Sequence, residues 1–493
     1  MSRTLKVKRL VPQAYALCCD SLQSLRLLLF KRALKSMLLL VYLSDANLLR
    51  VVRSAKRLSF TKAYREQIDA VETLFRQNHP FVRLGRNILK KSEKCRAKLV
   101  DNLLINALFV GNAKRTRFSQ RNKLPAPWFF VVSPTMRCNL KCVGCYAAQY
   151  LKDNDLPYET LDRICRDAKT MGIYMITVSG GEPFIRQDLL ELFRKHNDIY
   201  FQVFTNGTLI DKELAGQLVK LGNVAPVVAI EGFEAETEQR RGKGTFDRVV
   251  TAMDNLKNAG VIFGFSTMPT SRNWQTVASD EFYQFLVDQG CSFGWLFQYI
   301  PIGREPDLAL MMKPEQRLAI REKVREVRSK YPLFVSDFWN DGDYVHGCLA
   351  AGRHGGGYFH INTNGEVEPC VFAHFAQDNI KDIYRRGGHL WDVLRSEFFC
   401  KIRAGQPWNQ DHRMCCMIID NPQCLRKVVL SCSKVYPTEK EAEKLIKDEV
   451  ITNHLDGYSS HLNRLFHQNK DASAKDLVSS DKEPETSGVL ERR

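Results

Sequence analysis

The sequence predicts an α/β protein: a partial, open-sided (β/α)6 barrel with an N-terminal helical arm and a small Cys-rich C-terminal region. Three observations lead there. After residue 125, short runs rich in Val, Ile and Phe alternate with helix-like stretches, at spacings of roughly 25–45 residues, which is the pattern of parallel strands joined by right-handed crossovers. The positive charge is confined to one end: residues 1–130 hold 27 Lys and Arg against 7 Asp and Glu, and the remainder holds 45 against 48. The fifteen cysteines are also uneven, with three between 138 and 145 and seven between 331 and 435.

A chain of 493 residues with 44% hydrophobic and 26% charged residues has the composition of a globular protein with room for several domains. The expected divisions are a basic helical arm over 1–125, a barrel over 126–330, a Cys-bearing region over 331–435, a C-terminal helix over 436–466 and a disordered tail over 467–493. In the arm, Lys31, Arg32, Lys35, Asp45, Arg50, Arg53, Lys56 and Arg57 fall on one arc of a helix, with Leu, Val, Phe and Ala opposite. Two readings stay open: a helix docked on the barrel with a solvated basic face, or an interfacial helix in peripheral contact with a membrane. Charged residues interrupt the apolar part of the arm, and its uncharged run SMLLLVYLS is nine residues, too short to span a bilayer. With no secretory signal, the cysteines read as reduced thiols in a cytoplasmic protein, peripheral at the inner face of the membrane if the arm binds lipid. No nucleic-acid motif stands out, and no aromatics interleave with the basic residues.

The barrel strands follow in order as WFFVVS, IYMITVSG, YFQVFTNG, PVVAIEG, IFGFSTMP and FGWLFQYIP. Between them, YETLDRICRDAKTMG, KELAGQLVKLG and TFDRVVTAMDNLKNAG end in Gly, as helix C-caps do. Six units are fewer than the eight of a closed barrel, and the chemistry is expected at the C-terminal ends of the strands.

Directly after the first strand, TMRCNLKCVGCYAAQY brings Cys138, Cys142 and Cys145 together. Three thiolates are one ligand short of a closed four-coordinate site. Structural zinc wants a second Cys pair, and none is near. Core packing fits poorly with a loop carrying Asn, Lys and Gly. An iron–sulfur cluster with three Cys-ligated irons leaves the fourth iron open.

This Cys-x3-Cys-x2-Cys loop resembles the signature of the radical SAM superfamily, and three more strand ends match in order. SGGEP resembles the motif (here Gly180, Gly181, Glu182 and Pro183) that holds the amino group of S-adenosylmethionine (SAM); an ammonium needs acceptors, and glycine lets backbone approach closely. TNGTLI carries Thr205 and Asn206 at the third strand. AIEGFEAETEQRRGKG resembles the fourth, where the match implies that Arg241 pairs with the SAM carboxylate. Three departures stand out. Ala229 replaces a Ser, Glu231 replaces the usual Asp toward the ribose, and Gly144 replaces an aromatic near adenine, for which Tyr146 is the expected substitute. The resemblance implies a SAM-binding 4Fe–4S cluster and a one-electron donor such as flavodoxin or ferredoxin. It implies reductive cleavage of SAM and hydrogen abstraction from a substrate, here expected to be a peptide or protein. A membrane lipid and a non-catalytic iron–sulfur carrier are the alternatives.

In the C-terminal region, Cys348, then Cys370 within HINTNGEVEPC, then Cys415 and Cys416 resemble the opening half of the SPASM extension, whose later Cys run is missing. The resemblance implies one auxiliary 4Fe–4S cluster on Cys348, Cys370 and Cys416 or Cys415, with the fourth ligand open. The other reading is buried structural thiols.

Overall fold

The computed structural model describes residue 73 and residues 76–479. The amphipathic stretch Lys31–Arg57 lies outside the described residues. The described end of the arm consists of helix α1 (Pro80–Leu89), a short helix Glu93–Lys98, a π-helical segment Leu99–Val110 and α2 (Gly111–Asn122). This part docks on the barrel. Asn102 donates from Nδ2 to the carbonyls of Asn197 and Ile199 at 2.8 and 3.0 Å, and the buried Arg115 donates to Gly172 O at 2.9 Å. Gly111 is required there, because a Cβ would lie 2.5 Å from that same carbonyl.

The barrel strands are β1 (Phe130–Val132), β2 (Met175–Val178), β3 (Tyr200–Thr205), β4 (Val224–Ala229), β5 (Gly264–Thr267) and β6 (Phe293–Leu296). They pair in parallel in sequence order. The crossover helices include α3 (Tyr158–Met171), α4 (Asp188–Lys195), α5 (Lys212–Leu221), α6 (Glu234–Arg241), α7 (Thr245–Ala259), α8 (Asp280–Asp288) and α9 (Pro314–Lys330). Apart from the polar α6, which buries only Thr237, they present apolar stripes to the sheet. In α3 the stripe is Leu161, Ile164, Ala168 and Met171, all buried, and Gly172 ends the helix at φ +84°. The Leu, Ile and Met side chains each contribute about 1.5–3 kcal/mol by leaving water. The strands are short and mostly buried, so their sequences read as apolar runs rather than as alternation.

The sheet continues past the expected barrel boundary. A seventh strand, β7 (Phe334–Asp337), pairs in parallel with β6, so the boundary at 330 cuts the barrel one strand early. The run is short and its first residue, Phe334, is exposed, so pairing rather than apolar pattern defines it. At the other edge, β8 (His360–Ile361) pairs in parallel with β1, and β9 (Glu366–Glu368) pairs antiparallel with β8. Among the described residues, ten strands form this one open sheet, and the Cys-bearing region is built onto it.

A buried polar seam locks that region to the barrel. Ser133 Oγ lies 2.7 Å from His360 Nε2, His360 Nδ1 lies 2.5 Å from Glu368 Oε2, and Tyr150 OH donates to Glu368 Oε1 at 2.7 Å. Burial opposes the charge on Glu368, but His360, His374 and Thr438 together hold its carboxyl below the usual range. A second anchor is Arg317 on α9, which forks onto Asp420 with both side chains fully buried. Helix α10 (Pro422–Leu430) and α11 (Glu449–Ser479) lie toward the end of the described residues. Helix α11 runs past residue 466, so the first part of the expected tail is helical; its Ala, Lys and Leu residues are good helix formers. Among the described residues no helix is long and apolar enough to cross a membrane.

Candidate functional site

The Cys138–Cys145 loop leaves the C-terminal end of β1 and is held by backbone bonds from the next strand end. Gly181 N donates to Thr135 O at 2.9 Å and Glu182 N donates to Arg137 O at 2.8 Å. Arg186 supports the same loop, donating from Nη1 to the carbonyls of Pro134 and Leu156 at 3.1 and 2.6 Å. The two glycines are there for close approach. A Cβ on Gly181 would sit 2.2 Å from Arg137 O, and one on Gly180, at φ +116°, would sit 2.3 Å from Thr135 O.

Cys138, Cys142 and Cys145 all face one cavity of about 210 Å³, set in the mouth of the barrel. Around the thiols stand Gly180, Gly181, Thr205, Asn206, Tyr146 and Arg241, all expected from the sequence, together with Arg240, which was not. Glu182 and Pro183 lie behind this rim, not on it. The Glu182 carboxylate ties β2 to β3, accepting from Phe184 N at 3.1 Å, Thr205 Oγ1 at 2.9 Å and Asn206 N at 2.7 Å. Burial nevertheless pushes its pKa up to about 7. Asn206 Nδ2 reaches toward Cys138 Sγ at 3.7 Å and donates to Asn139 Oδ1 at 2.8 Å.

Glu231 does not face the cavity. Its Oε1 accepts from Arg240 and from Arg241 Nε at 2.8 Å, and its Oε2 accepts from Met268 N at 2.9 Å. Expected on a ribose, this carboxylate is instead committed to two guanidiniums. Burial opposes the Arg241 charge, but Glu231 holds the side chain more firmly protonated than in water. Arg241 Nη1 stands 4.0 Å from Cys142 Sγ. Tyr146 does reach the cavity, with its hydroxyl 2.8 Å from Ser179 Oγ and its own pKa pushed up to about 12 by burial. The ring beside Gly144, however, is that of Tyr299, whose Cε2 lies 2.7 Å from where a Gly144 Cβ would be. A side chain at 144 and this tyrosine exclude one another.

Away from the thiols the cavity wall is mainly aromatic and apolar, with Phe204, Trp295, Phe297, Phe338, Tyr358 and Phe372, interrupted by the neutral polar side chains of Thr177, Gln202, Ser266, Thr267 and Gln298. Its cationic lining residues, among those described, are Arg240 and Arg241 at the thiol end.

A second, smaller cavity holds four further thiols. Cys348, Cys370, Cys415 and Cys416 line it together, whereas Cys424 and Cys432 do not. Ile418 N donates to Cys416 Sγ at 3.3 Å, and Cys416 N donates to Asp420 Oδ2 at 3.0 Å. Burial raises the pKa of all four thiols, to about 12 for Cys370. It does the same to Cys138 and Cys145. Thiols so placed ionise only when a positive centre takes the charge, as a metal cluster does. Among the described residues no three Cys, His, Asp or Glu side chains converge at the distances of a single metal ion. A multinuclear cluster attaches its ligands at separate irons, and both thiol sets suit that chemistry.

A barrel mouth with three thiols on the first strand's loop, a double glycine on the second and an arginine after the fourth defines a radical enzyme that uses an iron–sulfur cluster. The chain belongs to the Radical SAM superfamily, whose sequence profile matches residues 132–281. Membership implies a 4Fe–4S cluster and SAM. The chain is 31% identical to the mycofactocin maturase MftC of Mycolicibacterium smegmatis, over 57% of this chain and 74% of that protein. It is 40% identical to a probable GTP 3',8-cyclase of Methanothermobacter marburgensis, over 57% of this chain and 95% of that one. Among solved structures, Streptococcus suis SuiB bound to S-adenosylmethionine shares the fold, with a TM-score of 0.50 and 20% identity over 60% of this chain and 73% of that one.

Proposed function

We propose that this enzyme cleaves SAM on a cluster held by Cys138, Cys142 and Cys145 and abstracts hydrogen from an apolar part of a peptide or protein substrate. When bound, the cluster and SAM supply one-electron cleavage of a C–S bond, giving methionine and a 5′-deoxyadenosyl radical. The protein's own part is positioning. The Gly180–Gly181 backbone offers acceptors for the SAM amino group, and Glu182, with Pro183, fixes that backbone against Thr205 and Asn206. Arg241, with Arg240 beside it, faces the SAM carboxylate, and Glu231 aims both guanidiniums, an arrangement suited to bidentate recognition. Tyr146 and Tyr299 flank the adenine side.

One observation carries the substrate class: the wall beyond the thiols is mainly aromatic, its polar side chains there are uncharged, and its described cations are the two arginines beside the cluster. A triphosphate would enter without counter-charge, at a heavy desolvation cost. An apolar side chain gains about 25 cal/mol per Å² buried there. The likeness to a maturase points the same way. To test this, the reconstituted, reduced enzyme is given a pool of synthetic peptides with deuterated Leu, Val, Phe and Tyr, deuterated GTP, or vesicles of deuterated phospholipid. Deuterium in 5′-deoxyadenosine is expected from the peptide pool. Transfer from GTP or from lipid alone would overturn the reading.

We also assign an auxiliary 4Fe–4S cluster to Cys348, Cys370, Cys416 and, as the fourth ligand, Cys415, because these four thiols share one cavity. About four irons per chain should then survive when Cys138, Cys142 and Cys145 are all changed to Ala; loss of all iron would contradict it.

A further inference from the structure

The two cavities share a wall. Phe338, Tyr358 and Phe372 line both the barrel-mouth chamber and the four-thiol cavity. Of these, Tyr358 alone carries a polar atom, and its hydroxyl lies 2.9 Å from Cys370 Sγ. The side chain is fully buried, with its ring stacked on Phe129 at 5.2 Å and edge-on to Phe338 at 5.9 Å. A tyrosine hydroxyl in such a place needs partners; this one has the Cys370 sulfur and the backbone of Val371.

On a free thiol either atom of the pair donates. A thiolate bound to iron has no proton to give, so the hydroxyl must then be the donor. Hydrogen bonds to ligating sulfurs favour the more negative, reduced state of a cluster and raise its potential. We propose that Tyr358 is a positioning residue that sets the reduction potential of the auxiliary cluster through Cys370, at the point where that site meets the substrate chamber. The proposal rests on the auxiliary-cluster assignment above. It places the tuning bond on a residue that lines both cavities, whereas the Ile418 N–H serves a different thiol, Cys416, from a residue that lines only the four-thiol cavity.

The test is an EPR-monitored redox titration of the full-length reconstituted protein, with the auxiliary signal identified as the one retained when Cys138, Cys142 and Cys145 are Ala. Tyr358→Phe removes one oxygen from a packed ring. It should retain wild-type iron and sulfide and shift the auxiliary midpoint to lower potential. Phe338→Leu perturbs the same wall without touching a sulfur and should leave the midpoint in place. An unchanged midpoint in Tyr358→Phe, or an equal shift in Phe338→Leu, overturns the proposal while the cluster assignment stands. Loss of the auxiliary signal in Tyr358→Phe alone would assign the residue to assembly and also overturn it. Absence of any retained signal in the triple-Ala protein would overturn the cluster assignment and this proposal together.

Discussion

Replacing Gly181 by Ala should disable SAM cleavage while leaving the fold in place. The new Cβ would stand 2.2 Å from Arg137 O and 2.7 Å from the carbonyl carbons of Met136 and Arg137. All three are backbone atoms, so no side chain can swing aside, and relief requires the loop to retreat by roughly 1 Å. Two backbone hydrogen bonds pass through the contact, Gly181 N to Thr135 O and Glu182 N to Arg137 O. Losing both costs about 1–3 kcal/mol. Arg137 directly precedes Cys138, so the retreat carries the first thiol with it, and a misplacement of about 1 Å at a reacting centre can cost on the order of 10²-fold in rate. Gly216→Ala is the control. Nothing lies within 4 Å of its Cβ position in the helix Lys212–Leu221, so it should gain up to about 1 kcal/mol and change no rate. The assay is 5′-deoxyadenosine formation by the anaerobically reconstituted, dithionite-reduced proteins, with iron content and thermal midpoint measured in parallel. Formation by Gly181→Ala within twofold of wild type would refute the claim that this contact fixes the cluster loop.

Two further predictions concern stability. Asp420→Ala strips the charged partner from a fully buried Arg317, leaving it neutral partners such as Asn340 and backbone carbonyls, and frees the Cys416 N–H; it should cost about 3–5 kcal/mol, read as a fall in thermal midpoint on the order of 10 °C; a shift of a degree or two would count against the anchor. Asp337, buried at the end of β7, has its pKa pushed up to about 6 by burial, against the bonds it receives from Asn340. The folded state therefore binds this proton more tightly than the unfolded chain, so stability falls as pH rises from about 4 through 6, by up to roughly 3 kcal/mol. Denaturation of wild type and Asp337→Asn across that range should show the variant lacking this fall, and parallel curves would contradict it.

The barrel was legible because its first four strands lead into something chemical. Six apolar runs gave six strands; the thiols and SGGEP follow the ends of β1 and β2, TNG begins on the last residue of β3, and AIEG runs off the end of β4, so pattern and chemistry marked the same places. What the sequence hid depends on contacts distant along the chain. Strand β7 is four residues with an exposed Phe334, and only pairing with β6 makes it a strand. The aromatic wall was visible as Trp295 and Phe297 two apart in FGWLFQYIP, but a wall and a core look alike at that spacing. Glu231 was read from its place in a motif, yet its direction is set by Arg240 and Arg241 nine and ten residues on. Tyr299 took the place left by Gly144 from a strand end more than 150 residues away. In the Cys-bearing region, adjacent thiols at 415 and 416 left the fourth ligand open. The turn into α10, held by Asp420 and Arg317, is what brings both sulfurs to one cavity.

The central claim is that Cys138, Cys142 and Cys145 hold the cluster on which SAM is cleaved. Its most direct measurement is 5′-deoxyadenosine and methionine formation by the reduced, reconstituted protein, before and after all three residues are changed to Ala. Wild type should form the two products in equal amounts. The triple variant should form neither, while keeping its fold and the iron of the four-thiol site. Undiminished formation by the triple variant would contradict the account.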